Sequence, residues 1–491
     1  MSTHKNIDRI CVAVLVFTLL LTILFMNGSR FGLKPTDDGD TVGDAGSDWF
    51  TANDMDGAWD VSGATQILLH GDDASISGQG AYAYNGDVFI TNAGWYVLSG
   101  TLDNGSVIVD TYSSSKVWLM LDGADISCQG DACLQVLQAN KVFLTLAEGS
   151  ENVFSSGEDF SEEALAAGRD GAIFASDDLT INGSGSLILV SSCLNGITAK
   201  DDLVITGGTI SVTAPHHAIK VNESFLFTGA EMSLTAGADG IHAGGEVLLQ
   251  DGSLTLSAGD DGIHSDTAVR ILGGTLNITE SYEGIEAITV EMTGGEVTVV
   301  SRDDGINANG YTGDFFGGGG QSQDSDASRT LLTATETYVR ISGGNLTIFN
   351  ETGQDADGID SNGCIFITGG NVRVYLANSS GNSALDYGSE NGGVAEISGG
   401  TLIACGNYTM AEAFDASSTQ CSILYNISSG VAAGTVLQLL DAEGNLLLQQ
   451  EVPLGFSSVL LSCPELAQGA TYQLILGDSS EEITLEEVSA A

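Results

Sequence analysis

The chain is a succession of short apolar alternations, each ended by Gly, Asn or Asp. Alternation of apolar and polar residues over about four to eight positions predicts half-buried β-strands. Clear examples are Val88–Ile90, Trp95–Leu98, Ser106–Val109 and Val117–Leu121. Helical patterns are confined to an N-terminal apolar run and a short turn at 161–167. The pattern therefore predicts an all-β protein.

A corner motif, typically Asp-Gly-Ile, recurs about every 22 residues, with one longer interval. Its copies begin at Asn195, His217, Asp239, Asp261, Glu283, Asp304 and Asp357. A Gly-Gly pair between two apolar runs marks a second corner in most copies. A coil of this length cannot bury its own apolar face, so it must stack on its neighbours. We therefore predict a right-handed parallel β-helix over 61–410, with three short strands per coil. Its corner glycines supply positive φ or close backbone approach.

Both ends of the chain depart from this repeat. Residues 411–491 lack the corner motif and predict an antiparallel β cap on the open end of the helix. Lys5 and Arg9 precede an apolar run from Ile10 to Met26, and no small-residue cleavage site follows it. We expect a cytoplasmic segment 1–9, an N-terminal membrane helix at 10–26 acting as a signal anchor, and a spacer at 27–60. The body would then be extracellular and tethered to the membrane; a cleaved signal, giving a secreted protein, is the alternative.

Charge and cysteine content limit the partners. The 491 residues include 65 acidic residues against 14 Lys and Arg, a formal net charge of -51. Such a field repels nucleic acids and anionic membranes, so we expect no nucleic-acid partner and membrane contact only through the N-terminal helix. The field attracts multivalent cations instead. Seven cysteines at irregular spacing outside the apolar run favour free thiols, with a Cys128–Cys133 loop as the alternative.

Stacked coils place equivalent residues about 4.8 Å apart, which turns the acidic corners into ladders. Like charges at this spacing repel by about 1 kcal/mol per pair even in water, so the pKa values rise or a cation bridges the carboxylates. Ligands that are all oxygen favour Ca²⁺ over zinc or iron. Any single Asp-Gly corner is better explained by an Asp that caps its own turn, whereas the contiguous set from Asp260 to Asp304 favours calcium. The predicted metal ligands are Asp260, Asp261, Glu283, Glu286, Asp303, Asp304, Asn307, Asp355, Asp357 and Asp360.

Four strings in this region resemble the bacterial carbohydrate-binding β-helix family, a group of polysaccharide-binding adhesins. They are Asp178–Leu187, Tyr282–Ala287, Asp303–Ala308 and Asp357–Gly363. The resemblance extends over about 70–480. It implies a pectate-lyase-like β-helix, bound calcium, and binding to plant cell-wall polysaccharides such as cellulose or acidic pectic chains.

The predicted function is calcium-dependent polysaccharide binding at the cell surface by a monomeric, non-catalytic chain. A bridging Ca²⁺ would allow an acidic protein to hold an acidic glycan. The predicted carbohydrate-binding residues are Tyr311, Phe315 and Phe316 in an insertion at 311–329, together with His242 and His264. Two alternatives stay open. One is a calcium-dependent pectate-lyase-type enzyme, whose base would come from the Lys, His and Arg residues near the ladder. The other is a structural scaffold.

Overall fold

Each coil contributes three short strands, because apolar residues alternate with polar ones between the corners. In the coil that starts at Asn195, the strands are Asn195–Ala199, Leu203–Ile205 and Thr209–Ala214. The prediction of three strands per coil is thus confirmed. The structure is a computed structural model that describes residues 49–312, 330–351, 356–379 and 381–490. Residues Asp54–Ala491 form one compact unit, and the other unit, Met1–Asn53, has no helix or strand in its described residues 49–53.

The first strand of each coil lies in what we call the ladder sheet. Its strands pair in parallel, except for the first two, which form an antiparallel hairpin. Within the described residues the ladder sheet has thirteen strands: Ala81–Tyr84, Asp87–Ile90, Val107–Asp110, Leu134–Gln138, Gly171–Ala175, Asn195–Ala199, Ile219–Val221, Ile241–Ala243, Ile263–Ser265, Ile285–Ala287, Ile306–Ala308, Ile359–Ser361 and Leu385–Tyr387.

The other two strands of each coil lie in what we call the wide sheet. In the described part of the chain it has 25 strands: Thr65–Gly71, Ala74–Ser77, Gly94–Leu102, Val117–Cys128, Val142–Leu146, Glu151–Ser156, Leu179–Gly183, Ser186–Val190, Leu203–Ile205, Thr209–Ala214, Phe225–Phe227, Glu231–Ala236, Val247–Leu249, Ser253–Ala258, Ala268–Ile271, Thr275–Glu280, Thr289–Met292, Glu296–Val300, Tyr338–Ile341, Asn345–Asn350, Cys364–Leu376, Ala395–Gly406, Ser422–Val431, Phe456–Ser462 and Ser489–Ala490.

The remaining elements are few and short. One α-helix, Glu162–Ala166, and two 3-10 helices, Val61–Gly63 and Ser389–Asn391, are found among the described residues. A two-stranded pair, Tyr311–Thr312 with Thr330–Leu331, flanks the insertion. None of the described helices is long and apolar enough to cross a membrane. The predicted membrane helix at 10–26 lies outside the described residues.

The core is a set of stacked apolar columns. In the ladder sheet, the isoleucine of each corner motif points inward and pairs with its equivalent in the next coil, from Ile197 to Ile359. All members of this column are at most 3% exposed. The residue after each isoleucine therefore points outward, because side chains alternate along a strand. The result is an all-β protein with long parallel sheets, consistent with a parallel β-helix; its right-handed sense stays a prediction.

Glycine fulfils both predicted roles, at different corners. A Cβ on Gly262 would lie 2.5 Å from the carbonyl oxygen of Gly284 in the next coil, so this corner needs close backbone approach. The second glycine of the Gly-Gly pair has a positive φ instead, 74° at Gly274 and 80° at Gly344. Residues other than glycine rarely adopt that backbone conformation.

The predicted antiparallel C-terminal sheet is present. Phe456–Ser462 pairs antiparallel with Ala395–Gly406, the last strand of the stack, and so covers its edge. A separate antiparallel sheet contains Leu446–Val452, Thr435–Leu440, Thr471–Leu476 and Ser479–Thr484 in that spatial order. The seven cysteines after the apolar run are all free, which confirms the prediction of free thiols, and all but Cys193 are buried.

Candidate functional site

Two columns of outward side chains follow the corners of the ladder sheet. The strand column comes two positions after each corner glycine or alanine and is aligned by strand pairing. Its members are Thr198, Lys220, His242, His264, Glu286, Asn307, Asp360 and Asp386. The corner column comes just before that glycine or alanine. Its members are Asn195, His217, Asp239, Asp261, Glu283, Asp304, Asp357 and Ser383.

The corner column forms a ladder of hydrogen bonds between coils. One oxygen of the corner side chain accepts a backbone N–H from the corresponding residue of the next coil. Asp239 Oδ1 accepts from Asp261 at 3.2 Å, and Asp304 Oδ1 accepts from Asp357 at 2.7 Å. Asp357 Oδ1 accepts from Ser383 at 2.5 Å. Each of these aspartates therefore uses one oxygen to hold the stack, which leaves its second oxygen for other contacts.

In the upstream coils that second oxygen meets histidine. Asp239 Oδ2 lies 3.2 Å from His217 Nδ1 and 2.8 Å from His242 Nδ1. Burial acts to raise the pKa of Asp239, but the contacts with His217 and His242 outweigh it and hold the pKa well below its usual range. The carboxylate is therefore ionised, and the imidazoles lie where a counter-charge is needed.

The next coil repeats this arrangement around a single imidazole. His264 Nδ1 lies 2.6 Å from Glu286 Oε2 and 3.4 Å from Asp261 Oδ2, and Nε2 lies 3.2 Å from Asp266 Oδ1. Burial opposes the charged form of His264, but these three carboxylates raise its pKa well above the usual range. The His264 imidazolium in turn lowers the pKa of Glu286 against the effect of burial. The pKa of Asp261 is nevertheless raised to about 7, mainly by burial. The positive charge of His264 is thus shared by three carboxylates, those of Asp261, Asp266 and Glu286.

Downstream of Glu286 the two columns contain no histidine. Burial, with Glu286 and Asp261 nearby, raises the pKa of Glu283 well above its ordinary value. Burial and Asp360 raise the pKa of Asp304 to about 9, and burial and Asp386 raise that of Asp360 to about 7. These shifts are the expected response of stacked carboxylates that lack a counter-charge.

Two buried oxygens near these carboxylates have no hydrogen-bond donor among the described residues. Asn307 Nδ2 donates to Glu283 Oε2 at 3.1 Å, but Asn307 Oδ1 is buried without a partner. Glu412 Oε2 is buried and unpartnered as well, and burial with Asp386 raises the pKa of Glu412 to about 7. A buried oxygen that accepts nothing is costly, so both atoms suit a cation. We call Glu283, Asp304, Asn307 and Asp360 the acidic cluster.

Two other predicted ligands, Asp260 and Asp303, lie at the margin of the columns. The pKa of Asp260 is raised by burial and Asp239. Asp303 contacts Tyr282 and raises the pKa of that phenol to about 12. Asp355, Phe315 and Phe316 lie outside the described residues, as does the side chain of Tyr311. His242 and His264, predicted to contact glycan, lie against carboxylates, and their contact with glycan stays a prediction.

Sequence reasoning missed the contribution of the C-terminal segment. Glu390, Glu412 and Asp415 add their charge to that of Asp386 at the downstream end of the strand column. Asp386 could be found by extending the repeat. Glu412 follows the last corner motif, so no periodic signal places it there.

A second candidate surface is an aromatic groove on the wide sheet. Strand pairing aligns Trp95, Trp118 and Phe143 in three successive coils. The two indole rings stack with centroids 4.0 Å apart, and Trp118 lies 5.6 Å from Phe143. Trp95 and Trp118 line a groove of about 620 Å³ together with Tyr112, Lys116 and small residues, namely Thr91, Asn92, Ala93, Gly94, Thr111, Ser113 and Ser115. The sequence signal for this groove was a pair of tryptophans, Trp95 and Trp118, at the same strand position in adjacent coils.

These features define a class, a stacked parallel-strand protein with a laddered acidic face and an aromatic groove. The model of the carbohydrate-binding domain-containing protein family matches residues 84–327. This match confirms the predicted resemblance to the carbohydrate-binding family.

One relative and one solved structure are similar to this chain. A carbohydrate-binding domain-containing protein of Acetivibrio thermocellus is 37% identical over 129 residues, which are 26% of this chain and 45% of that relative. The match therefore spans less than half the length of the relative. A solved structure, a polysaccharide lyase-like protein from C. thermocellum as a gadolinium derivative, is 23% identical with a TM-score of 0.35. That comparison covers 70% of this chain and 99% of the other.

Proposed function

We propose that the chain is a calcium-dependent polysaccharide-binding protein displayed on the cell surface, where it acts as an adhesin. The observation that carries this proposal is the acidic cluster, in which stacked carboxylates have raised pKa values and which lies in the part of the columns that contains no histidine. The family model supports carbohydrate as the partner.

The donor atoms of the acidic cluster are all oxygens, the ligand type that calcium prefers. Glu283, Asp304 and Asp360 offer carboxylate oxygens, and Asn307 offers its unpartnered amide oxygen. Ca²⁺ takes six to eight oxygen ligands, of which this set supplies a part. The remaining positions would take water or the carboxylates of an acidic glycan. When bound, the ion supplies positive charge that both the protein and a uronate chain can share.

The aromatic groove supplies a second mode of contact. Trp95 is 40% exposed and Tyr112 is 84% exposed, so both offer aromatic surface to a sugar. Lys116 lines the same groove and offers a positive charge in a strongly acidic protein. Large apolar rings beside small polar groups are typical of ligand sites. The groove would bind a glycan chain by stacking, without calcium.

Binding is favoured over lyase catalysis because the basic residues near the ladder are engaged. Lys220 Nζ lies 3.5 Å from Asp170, and Arg270 Nε lies 2.8 Å from Glu246. Arg302 donates to the carbonyl oxygen of Gly259 at 2.6 Å. A lyase needs such a base near the uronate C5 proton. Release of unsaturated uronide, detected by ultraviolet absorption, would establish the lyase instead.

The proposal is tested by retention on insoluble pectate and on cellulose, in calcium or in chelator. We expect calcium-dependent retention on pectate, and its loss in an Asp304→Asn/Asp360→Asn variant. The matched control is Asp122→Asn/Asp125→Asn, which removes the same charge at two exposed positions. Trp95→Ala should weaken retention on cellulose. If the chain were retained on neither material, with or without calcium, the proposal would be contradicted and a structural scaffold would be the remaining function.

A further inference from the structure

We propose that His217, Asp239 and His242 form a binding site for a divalent transition-metal ion of the Zn²⁺ type, distinct from the acidic cluster. Two imidazole nitrogens and one carboxylate oxygen converge there from adjacent coils. Three protein ligands with an open fourth position are typical of zinc sites that bind a water or a substrate.

The distances fit a single ion. His217 Nδ1 lies 3.2 Å from Asp239 Oδ2, and His242 Nδ1 lies 2.8 Å from the same oxygen. All three atoms lie within 4.8 Å of one another. Ligand atoms of a tetrahedral zinc site are about 3.3 Å apart, given bonds of about 2.0–2.1 Å. Small adjustments of the side chains would therefore bring the three atoms onto one ion.

The hydrogen bonds direct a lone pair of His217 into the site. Its Nδ1 accepts the backbone N–H of Asp239 at 3.3 Å, which requires an unprotonated nitrogen. The same nitrogen lies 3.2 Å from the ionised oxygen Oδ2 of Asp239. Two electron pairs that face each other at this distance repel unless a cation lies between them. A metal ion satisfies both atoms, whereas a proton on Nδ1 would give up the backbone hydrogen bond.

The three ligands are held by contacts outside the site. Asp239 Oδ1 accepts from the backbone of Asp261, which fixes Oδ2 towards the histidines. His216 packs edge-on against His217 with ring centroids 4.0 Å apart. His264 stacks on His242 at 4.8 Å with an interplanar angle of 5°. Outer contacts of this kind orient metal ligands and raise affinity.

Charge and exposure also suit a metal ion. The side chains of Asp239 and His217 are 7% and 12% exposed, whereas His242 is 27% exposed and leaves one side open to solvent. Two neutral imidazoles and one carboxylate leave a net charge of about +1 on a divalent ion, which is favourable in a chain of net charge -51. Imidazole ligands suit zinc, copper or nickel, whereas calcium prefers oxygen.

The neighbouring trio, Asp261, His264 and Glu286, serves as an internal comparison. Both ring nitrogens of His264 contact carboxylates, Nδ1 with Glu286 at 2.6 Å and Nε2 with Asp266 at 3.2 Å. An imidazolium satisfies all these contacts, so its protons occupy the positions that a metal would need. We therefore expect only the His217 site to take the transition metal.

The test is a calorimetric titration of the purified full chain with Zn²⁺ in excess Ca²⁺. A parallel titration with Co²⁺ gives a spectroscopic probe of nitrogen ligation. We expect one equivalent to bind and to raise the melting temperature. His217→Asn and His242→Gln should each weaken binding at least about tenfold. His70→Gln is the control, because His70 is an exposed residue that contacts Ser75.

Three results would overturn the inference. They are no saturable Zn²⁺ binding, unchanged binding in both His217→Asn and His242→Gln, or loss of binding only in His264→Gln. Excess Ca²⁺ saturates the acidic cluster throughout, so loss of the calcium response and loss of the zinc response are separate outcomes.

Discussion

The upstream and downstream coils have the same backbone arrangement and the same two columns of outward side chains, but they balance the charge of those columns differently. Upstream, imidazoles lie against the acids, and the His264 imidazolium supplies the counter-charge to Glu286 and Asp261. Downstream, Glu283, Asp304 and Asp360 follow one another, and burial with mutual repulsion raises their pKa values. Because the stack fixes the spacing, the residue type in each column decides whether the protein balances its own charge or needs a cation from solution.

The largest effect should come from removing the imidazolium of the self-balanced region. His264→Leu leaves Asp261 and Glu286 buried without their cation, and breaking a buried ion pair typically costs about 3–5 kcal/mol. We expect a loss of that order in the free energy of unfolding, measured by urea denaturation. His70→Leu, at an exposed histidine, should change it by less than about 0.5 kcal/mol. Equal effects of the two substitutions would show that His264 does not balance these acids.

The two regions should respond to pH with opposite signs. The raised pKa of Asp304, about 9 against an ordinary 3.8, means that the folded chain binds a proton which the unfolded chain has lost between these values. Stability therefore falls as pH rises through that window, by about 1–2 kcal/mol after allowance for solvent screening. The lowered pKa of Glu286 acts the other way, because its stabilisation is lost as pH falls below about 4.5.

Melting curves in chelator between about pH 2 and pH 9 measure both trends. Asp304→Asn should flatten the decline at high pH and leave the acid side unchanged. A decline of the same size in Asp304→Asn would place its cause elsewhere.

A histidine moved into the acidic cluster should make it resemble the upstream coils. Asn307 lies between Glu286 and Asp360 in the strand column and donates to Glu283. Asn307→His would place an imidazolium beside these carboxylates, and a hydrogen bond to a charged group contributes about 1.5–3 kcal/mol. We expect a gain near the lower value at pH 6 in chelator, and a weaker response to calcium. An Asn307→Gln variant keeps the amide and should show neither change.

The smallest effect is expected at the margin of the columns. Asp260 precedes the corner residue, belongs to neither column, and is only partly buried. Asp260→Asn should change stability and the calcium response by less than about 0.5 kcal/mol. An effect as large as that of Asp304→Asn would extend the cation site beyond the two columns.

The repeat made much of this predictable. The length of each coil, the glycines at its corners and the inward position of the isoleucines all follow from the spacing of the corner motif. Coils of this length can bury their isoleucines only by stacking on one another. The order of residues in the strand column, from Thr198 to Asp386, could also be read from the alignment. The partners of those residues could not. His264 contacts Asp261 and Glu286 through side-chain directions that a sequence does not contain.

Features outside the repeat were the least predictable. Glu412 adds its charge to that of Asp386 from a segment without periodicity. The aromatic groove was visible only as two tryptophans one coil apart, Trp95 and Trp118, since their stacking depends on exact strand pairing.

The most direct measurement is the melting temperature at pH 8 of the wild-type chain and Asp304→Asn/Asp360→Asn, each in calcium and in chelator. A ligand at 100 times its dissociation constant stabilises the folded state by about 2.7 kcal/mol. We predict a clear rise with calcium in the wild type, little rise in the variant, and a variant that is more stable than the wild type in chelator. A wild-type melting temperature that is the same in calcium and in chelator would contradict the claim that the downstream acids require a cation.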